Sequence, residues 1–150
     1  MRHNNYLRLA VMAALSFVAM YLLMYAMIDE LGSFFNNINQ AYMAALMAAP
    51  MVVIEIAVMS SMYVNRAANI IIIAICALVL VGAFYAIRYQ TGVGDRQFLR
   101  SMIPHHSGAV LMCREATISD ERIKRLCNSI IEGQLSEIAE MKNLLAQLKQ

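Results

Sequence analysis

Charge is scarce over the first part of this chain. Of 22 Asp, Glu, Lys and Arg residues, only seven lie before residue 89: Arg2, Arg8, Asp29, Glu30, Glu55, Arg66 and Arg88. The other fifteen fall in the last 62 residues. Such a shift separates a lipid-like solvent from a water-like one. There is no Lys/Arg block, and the net charge is only +2, so no electrostatic footprint for nucleic acid exists. No glycine loop cradles a phosphate, and no internal repeat appears. Three cysteines, Cys76, Cys113 and Cys127, are too few for a disulfide scaffold. His-Glu-x-x-His and Glu-x-x-His patterns are absent, which argues against zinc-protease and di-iron chemistry. Cys113 and His106 have no third residue to orient them, and the chain reads as a protein that is not an enzyme.

What is present is apolar sequence. A bilayer core is about 30 Å thick, so a spanning helix needs roughly 20 apolar residues. Residues 7–28, 41–63 and 67–87 supply three such runs. The first is too long for the apolar region of a secretory signal and lacks a small-residue cleavage pattern. Arg2 and Arg8 precede the first run, residues 29–40 carry no Lys or Arg, and Arg66 follows the second run. The positive-inside rule then places the N-terminus and Arg66 in the cytoplasm. Three crossings leave the C-terminal part outside, which at a bacterial inner membrane is the periplasm. The chain thus divides into a membrane domain, 1–90, and a soluble helical domain, 91–150.

In the second run Met43, Met47, Met51, Glu55 and Met59 recur every four positions on one slowly rotating face, and Pro50 predicts a kink. A carboxylate at membrane depth is costly and raises the question of function. Two readings stand: a thioether-and-carboxylate track for a soft cation, and a Met-rich packing face with Glu55 bonded to a neighbouring helix. Met20, Met24 and Met27 share a face of the first helix, where packing is the simpler account.

Gly92-Val93-Gly94 breaks the third helix from the polar C-terminal stretch. Asp95 reads as an N-cap of a helix to about residue 116, bent near Pro104. Residues 117–119 form a turn, Ser119 or Asp120 caps a second helix, and that helix runs to about 148. Ile123, Leu126, Ile130, Ile131, Ile138, Met141 and Leu145 form its apolar stripe. The fold class is all-α: three transmembrane helices, then an antiparallel two-helix hairpin. Two helices bury little alone, so the hairpin is expected to pack on a second copy, on the membrane helices or around metal.

The chemistry-bearing stretch is Met102-Ile103-Pro104-His105-His106, followed by Met112-Cys113. At about 100° per residue, Met102, His106 and Cys113 share a face, and His105 and Met112 share an adjacent one. On the second helix Cys127, Gln134 and Met141 share a face, with Glu137 beside them. Imidazole, thioether and thiolate together suit copper(I) and silver. Copper(II) fits the imidazoles with Glu137, zinc fits His and Cys, and magnesium and calcium do not fit. Cys113 and Cys127 could instead pair as a disulfide in an oxidising compartment, but their unequal distances from the turn make that geometry marginal.

The pattern Asp95-x-x-Phe98-x-x-x-Met102-Ile-Pro-His105-His106-x-x-Ala109-x-x-Met112, with Gln134-x-x-Glu137-Ile138-x-x-Met141 downstream, resembles a bacterial family known as domain of unknown function three-zero-five. The resemblance covers about residues 95–145. It implies a ferritin-like helical domain and, in the CopM-type members, periplasmic copper and silver binding linked to metal tolerance. Met102, His105, His106, Met112 and Met141 carry over as candidate ligands, with Glu137 as a helper. Many members are anchor-free and hold two copies of the domain. Here a single copy comes after three membrane helices, and Cys113 and Cys127 lie outside the core pattern. A single copy favours a dimer.

Overall fold

The computed structural model describes residues 3–148. Arg2, one of the charges on which the expected orientation of the first helix rests, lies outside them. Among the described residues all regular structure is helical: α1 (His3–Leu23), α2 (Ile38–Val58), α3 (Arg66–Arg88), α4 (Asp95–Glu115) and α5 (Glu121–Gln147), with 3-10 turns at Met24–Met27 and Leu31–Ser33. The chain forms two compact units. One holds the chain up to Met24 together with Asn39–Thr91; the other holds Tyr25–Ile38 together with the chain from Gly92 on. A linear division at residue 90 leaves Tyr25–Ile38 with the apolar helices. The structure assigns that segment to the C-terminal unit.

In the first unit three helices are long and apolar enough to cross a membrane: Asn5–Met27, Ile38–Val58 and Arg66–Arg88. Their shared core is Leu9, Ala49, Val52, Ile56, Tyr63 and Cys76, with Tyr6, Met12, Ala13, Val53 and Ile72 packed against it. Yet only 11% of the most apolar window of α3 is buried. Ile70, Ile71, Ile75 and Leu78 are exposed, an outward apolar surface that matches lipid and not water. Asn65 caps α3 by accepting from the Ala68 N–H at 3.1 Å. The helix α2 is continuous through Pro50.

The second apolar helix differs from expectation at its end. It stops at Val58, and residues 59–62 turn. Met59 therefore lies just beyond the helix, its N–H still donating to the Glu55 carbonyl at 2.9 Å. Ser60 and Ser61 are poor continuers because their hydroxyls compete for the backbone. The connection is also held by polar bonds: Asn69 Nδ2 donates to the Tyr63 carbonyl at 2.7 Å, and the Tyr6 hydroxyl donates to Asn69 Oδ1 at 2.9 Å. Glu55 thus sits one turn from the helix end, where its half-buried carboxylate accepts from the Tyr63 hydroxyl at 3.4 Å.

In the second unit α4 and α5 pack through Leu99 and Ile103 on one side and Ile138, Met141 and Leu145 on the other. The break before α4 is as expected: Gly92 takes φ 71°, a left-handed conformation glycine adopts without strain. Gly94, not Asp95, is the N-cap, and Asp95 is the first helical residue. Its charge still suits the positive end of the helix dipole. Asp120 caps α5, accepting from the Arg122 N–H at 2.8 Å.

The third layer of this unit is the connection Tyr25–Ile38. Phe35 and Met102 pack against the α4–α5 core. Tyr25 is buried, tilted against Phe34 with ring centroids 4.1 Å apart, and its hydroxyl donates to the Phe35 carbonyl at 2.7 Å. The Ile38 N–H donates to Gln97 Oε1 at 3.1 Å, and Lys142 Nζ lies 3.0 Å from Glu30 Oε1. The need for something to cover the two helices is met, in part, by fourteen residues of the chain's own first connection.

Candidate functional site

The inward face of α4 is built for packing: Ile103 and Val110 are fully buried, and Pro104, Ser107 and Gly108 follow the same face. A helix turns about 100° per residue, so the candidate ligands fall to either side of this face and scatter.

Four of them lie where α4 meets α5, in two groups. Met102 packs on the core cluster that contains Met141, which is 8% exposed. Both thioethers thus serve the hydrophobic core. One turn along, His106 is largely buried, with its Nδ1 3.0 Å from Glu137 Oε2 on α5. The two atoms are close but off the hydrogen-bonding line, which leaves Nδ1 without an aligned partner. Burial holds the His106 imidazole below its usual pKa; the Glu137 carboxylate opposes this, and His105 adds slightly to it. A neutral imidazole beside a carboxylate is the form that can give a lone pair to a cation.

His105 and Met112 point elsewhere. His105 is exposed, with its ring centroid 6.0 Å from that of His106, and Met112 is 54% exposed. Gln134 is half-buried.

Cys113 and Cys127 are removed from the ligand set. They form a disulfide, with Cα atoms 5.2 Å apart, so neither sulfur is a free thiolate. The unequal spacing from the turn is no obstacle, because the connector between the helices is extended: Ala116 has ψ 133° and Asp120 has ψ 122°. An extended connector carries the start of α5 past the end of α4. By helix rise, α5 overhangs α4 by about 6 Å. The same overhang leaves Ile123 exposed at 49%; Leu126, beside Cys127, is 58% exposed, although the periodicity placed both in the apolar stripe.

Among the described residues, no group of three or more His, Cys, Asp or Glu side chains is placed to hold one metal ion. A cation at His106 and Glu137 would need further donors from thioethers, water or another chain. In the apolar unit, Met43 and Met47 are 38% and 47% exposed and Met51 is half-buried. Met43 and Met47 thus present much of their surface outside the three-helix core, while Glu55, like Met51, is half-buried.

Sequence reasoning missed Asp29, Glu30 and Ser107. The Asp29 N–H donates to Ser107 Oγ at 2.8 Å, and the Asp29 carboxylate pairs with Arg114. The available signal was that Asp29 and Glu30 are the only acids before Glu55, in a connection that also holds Tyr25, Phe34 and Phe35.

Residues 86–145 match the family described as Domain of unknown function (DUF305). That match covers α4 and α5 but not the Tyr25–Ile38 segment. Over nearly its whole length the chain is similar to "Uncharacterized protein L153" of Acanthamoeba polyphaga mimivirus, with 37% identity over 151 residues, 98% of this chain and 95% of that protein. The likeness therefore includes the three apolar helices as well as the C-terminal unit. No solved structure matches the chain. The Met-Ile-Pro-His-His stretch, the Gln-x-x-Glu-Ile-x-x-Met stretch and the matched segment coincide, and the chain belongs to the DUF305 family.

Proposed function

We propose that this is a membrane-anchored copper-binding protein whose C-terminal unit meets the ion on the non-cytoplasmic face, in a bacterium the periplasmic face of the inner membrane. The observation that carries the reading is the close approach of the largely buried His106 to Glu137, with Met102 one turn earlier on the same face. Imidazole with thioether favours copper(I), and silver by the same softness. Without thiolates, zinc keeps only imidazole and carboxylate donors and is the weaker candidate. The role is sequestration or handover in metal tolerance, not catalysis.

Two observations support the compartment. A disulfide persists in oxidising surroundings, and Cys113–Cys127 is one. The connection Tyr25–Ile38, free of Lys and Arg, packs on α4 and α5, which requires both to emerge on the same side. An odd number of crossings between the N-terminus and each of them satisfies that.

The α4–α5 pair acts in this reading as a ferritin-like half-bundle, with a second copy supplying what one chain lacks. The exposed His105 and Met112 are then available to a shared ion. Full-length protein in detergent, titrated with copper(I) against a competing chelator, is expected to take about one ion per chain or per pair. Joint His105→Ala and His106→Ala substitution should abolish uptake, and absorption-edge spectroscopy should report copper(I). Equal, weak binding by wild type and double variant would sink the metal reading.

A second reading is favoured by exposed Met112, Ile123 and Leu126 near the disulfide: an assembly module with no metal. It would be preferred if the double-His variant and wild type form the same oligomer and neither retains copper.

A further inference from the structure

Viewed down its axis, α4 has three sides. A helix turns about 100° per residue, so Leu99, Ile103 and His106 make one side, which meets α5. Gln97, Ser107 and Gly108 make the second, which the connection Tyr25–Ile38 covers: the Ile38 N–H donates to Gln97, the Asp29 N–H donates to Ser107, and the Met27 carbonyl lies over Gly108. The third side carries Phe98, His105 and Met112. Phe98 is 51% exposed, Met112 is 54% exposed, and His105 is exposed too. Along α5 and its C-cap the matching row is Leu126, Glu137 and Leu148, all exposed.

Both rows follow one plan. His105 is seven residues, two turns, from Phe98 and from Met112. Glu137 is eleven residues, three turns, from Leu126 and from Leu148. Each row is thus apolar, titratable, apolar. The layers line up because the helices are antiparallel. Phe98 and Leu148 line one shallow groove, His106 meets Glu137, and Cys113 bonds Cys127 beside Met112 and Leu126. A two-fold axis parallel to the helices lays α4 of one copy on α5 of another with every layer kept. Phe98 then falls on Leu148, Met112 on Leu126, and the His105 imidazole on the Glu137 carboxylate. A two-fold across the helices instead sets Glu137 on Glu137, which like charge opposes. Two helices side by side, each about 30 Å long, present about 600 Å² per copy. The total of about 1,200 Å² reaches the range of stable interfaces.

From this we infer that the open face of α4 and α5 pairs with the same face of a second copy, and that the pairing completes the ion site with His106 and Glu137 of one copy and His105 of the other. One chain sets a single imidazole against the Glu137 carboxylate; the pair sets two. The completion of the site rests on the copper reading above, while the pairing is tested without the ion.

Full-length protein in detergent, stripped of metal with a chelator, is expected to sediment as a dimer. Phe98→Glu and, separately, Leu126→Glu, both at exposed positions, should make it monomeric with unchanged helicity. In a Cys76→Ala background, Phe98→Cys protein mixed with Leu148→Cys protein should give a covalent dimer with a short bis-maleimide, and either alone several-fold less. Monomeric wild type, or no cross-link in the mixture, would leave the face to lipid or to another protein and overturn the pairing. Copper(I) titration separates the two ideas. A dimer that takes no copper sinks the metal reading and leaves the pairing standing. Loss of tenfold or more in copper(I) affinity by monomeric Phe98→Glu supports completion of the site by the second copy; affinity equal to wild type overturns it.

Discussion

The backbone N–H of Asp29 donates to the hydroxyl oxygen of Ser107, 78 residues away, at 2.8 Å. Ser107 is 1% exposed, so this bond sits inside the packing between the first connection and α4. Beside it a Cβ on Gly108 would stand 3.2 Å from the Met27 carbonyl oxygen, closer than such contacts normally run. Small side chains at 107 and 108 let the connection lie directly on the helix.

Ser107→Ala removes the acceptor and leaves a buried donor unmatched, a loss of about 1–3 kcal/mol. Gly108→Ala pushes a methyl against backbone and should also destabilise. Thermal unfolding in detergent is expected to show a lower midpoint for both. Hydrogen exchange at the Asp29 amide should quicken in Ser107→Ala; unchanged exchange would show that the bond does not protect it.

The disulfide joins residues 14 apart. A ring of that size restricts the unfolded chain enough to contribute about 3 kcal/mol. Cys113→Ser with Cys127→Ser, or reduction of the native protein, should lower the unfolding midpoint by similar amounts. Before reduction, denatured protein should label at one thiol per chain, the buried Cys76; three labelled thiols would mean the pair is open.

Glu30 and Lys142 provide a pH test. The Lys142 ammonium, hydrogen-bonded to the carboxylate, holds the Glu30 pKa below its ordinary 4.5. A depressed carboxylate contributes stability that is full above that ordinary value and is lost as pH falls through the folded-state value. Glu30 is largely exposed, so the contribution lies within about 1 kcal/mol. Lys142→Met should flatten the acid side of the stability–pH curve. If the variant and wild type lose stability in parallel below pH 5, the pair is without effect.

Glu55 is expected to be structural. Glu55→Gln keeps an oxygen for the Tyr63 hydroxyl and should change stability by less than about 1 kcal/mol. Glu55→Leu strips the acceptor and should cost more. Because Met43 and Met47 face outward, copper entry into proteoliposomes should be the same for Glu55→Gln and wild type. A drop in flux would return the methionine row to a transport role.

Much of the architecture was legible because it is local. Three apolar runs became three helices within a few residues at most ends, and Asp120 capped α5 as its position predicts. Helix length, hydropathy and capping are decided by neighbours in sequence. Asp95 was misplaced by one position, and the end of α2 by more, since polar bonds from Tyr6 and Asn69 hold the turn after Val58.

The candidate site was legible as composition and not as geometry. Periodicity placed His106 and Glu137 on facing helices, and they approach to 3.0 Å. It could not say that Met141 would be taken by the core. Nor could it say that Cys113 would find Cys127, because that depends on how far an extended five-residue connector shifts one helix along the other.

The sequence by itself determined that this chain is helical, that its first ninety residues suit lipid, and that its last sixty carry two of the three imidazoles and most of the charge. The tertiary structure alone decided that Tyr25–Ile38 belongs with α4 and α5. That choice rests on contacts such as Asp29–Ser107 and Glu30–Lys142, separated by 78 and 112 residues. Local periodicity carries no record of pairs so far apart; they form only when the helices between them have brought the two ends of the chain together.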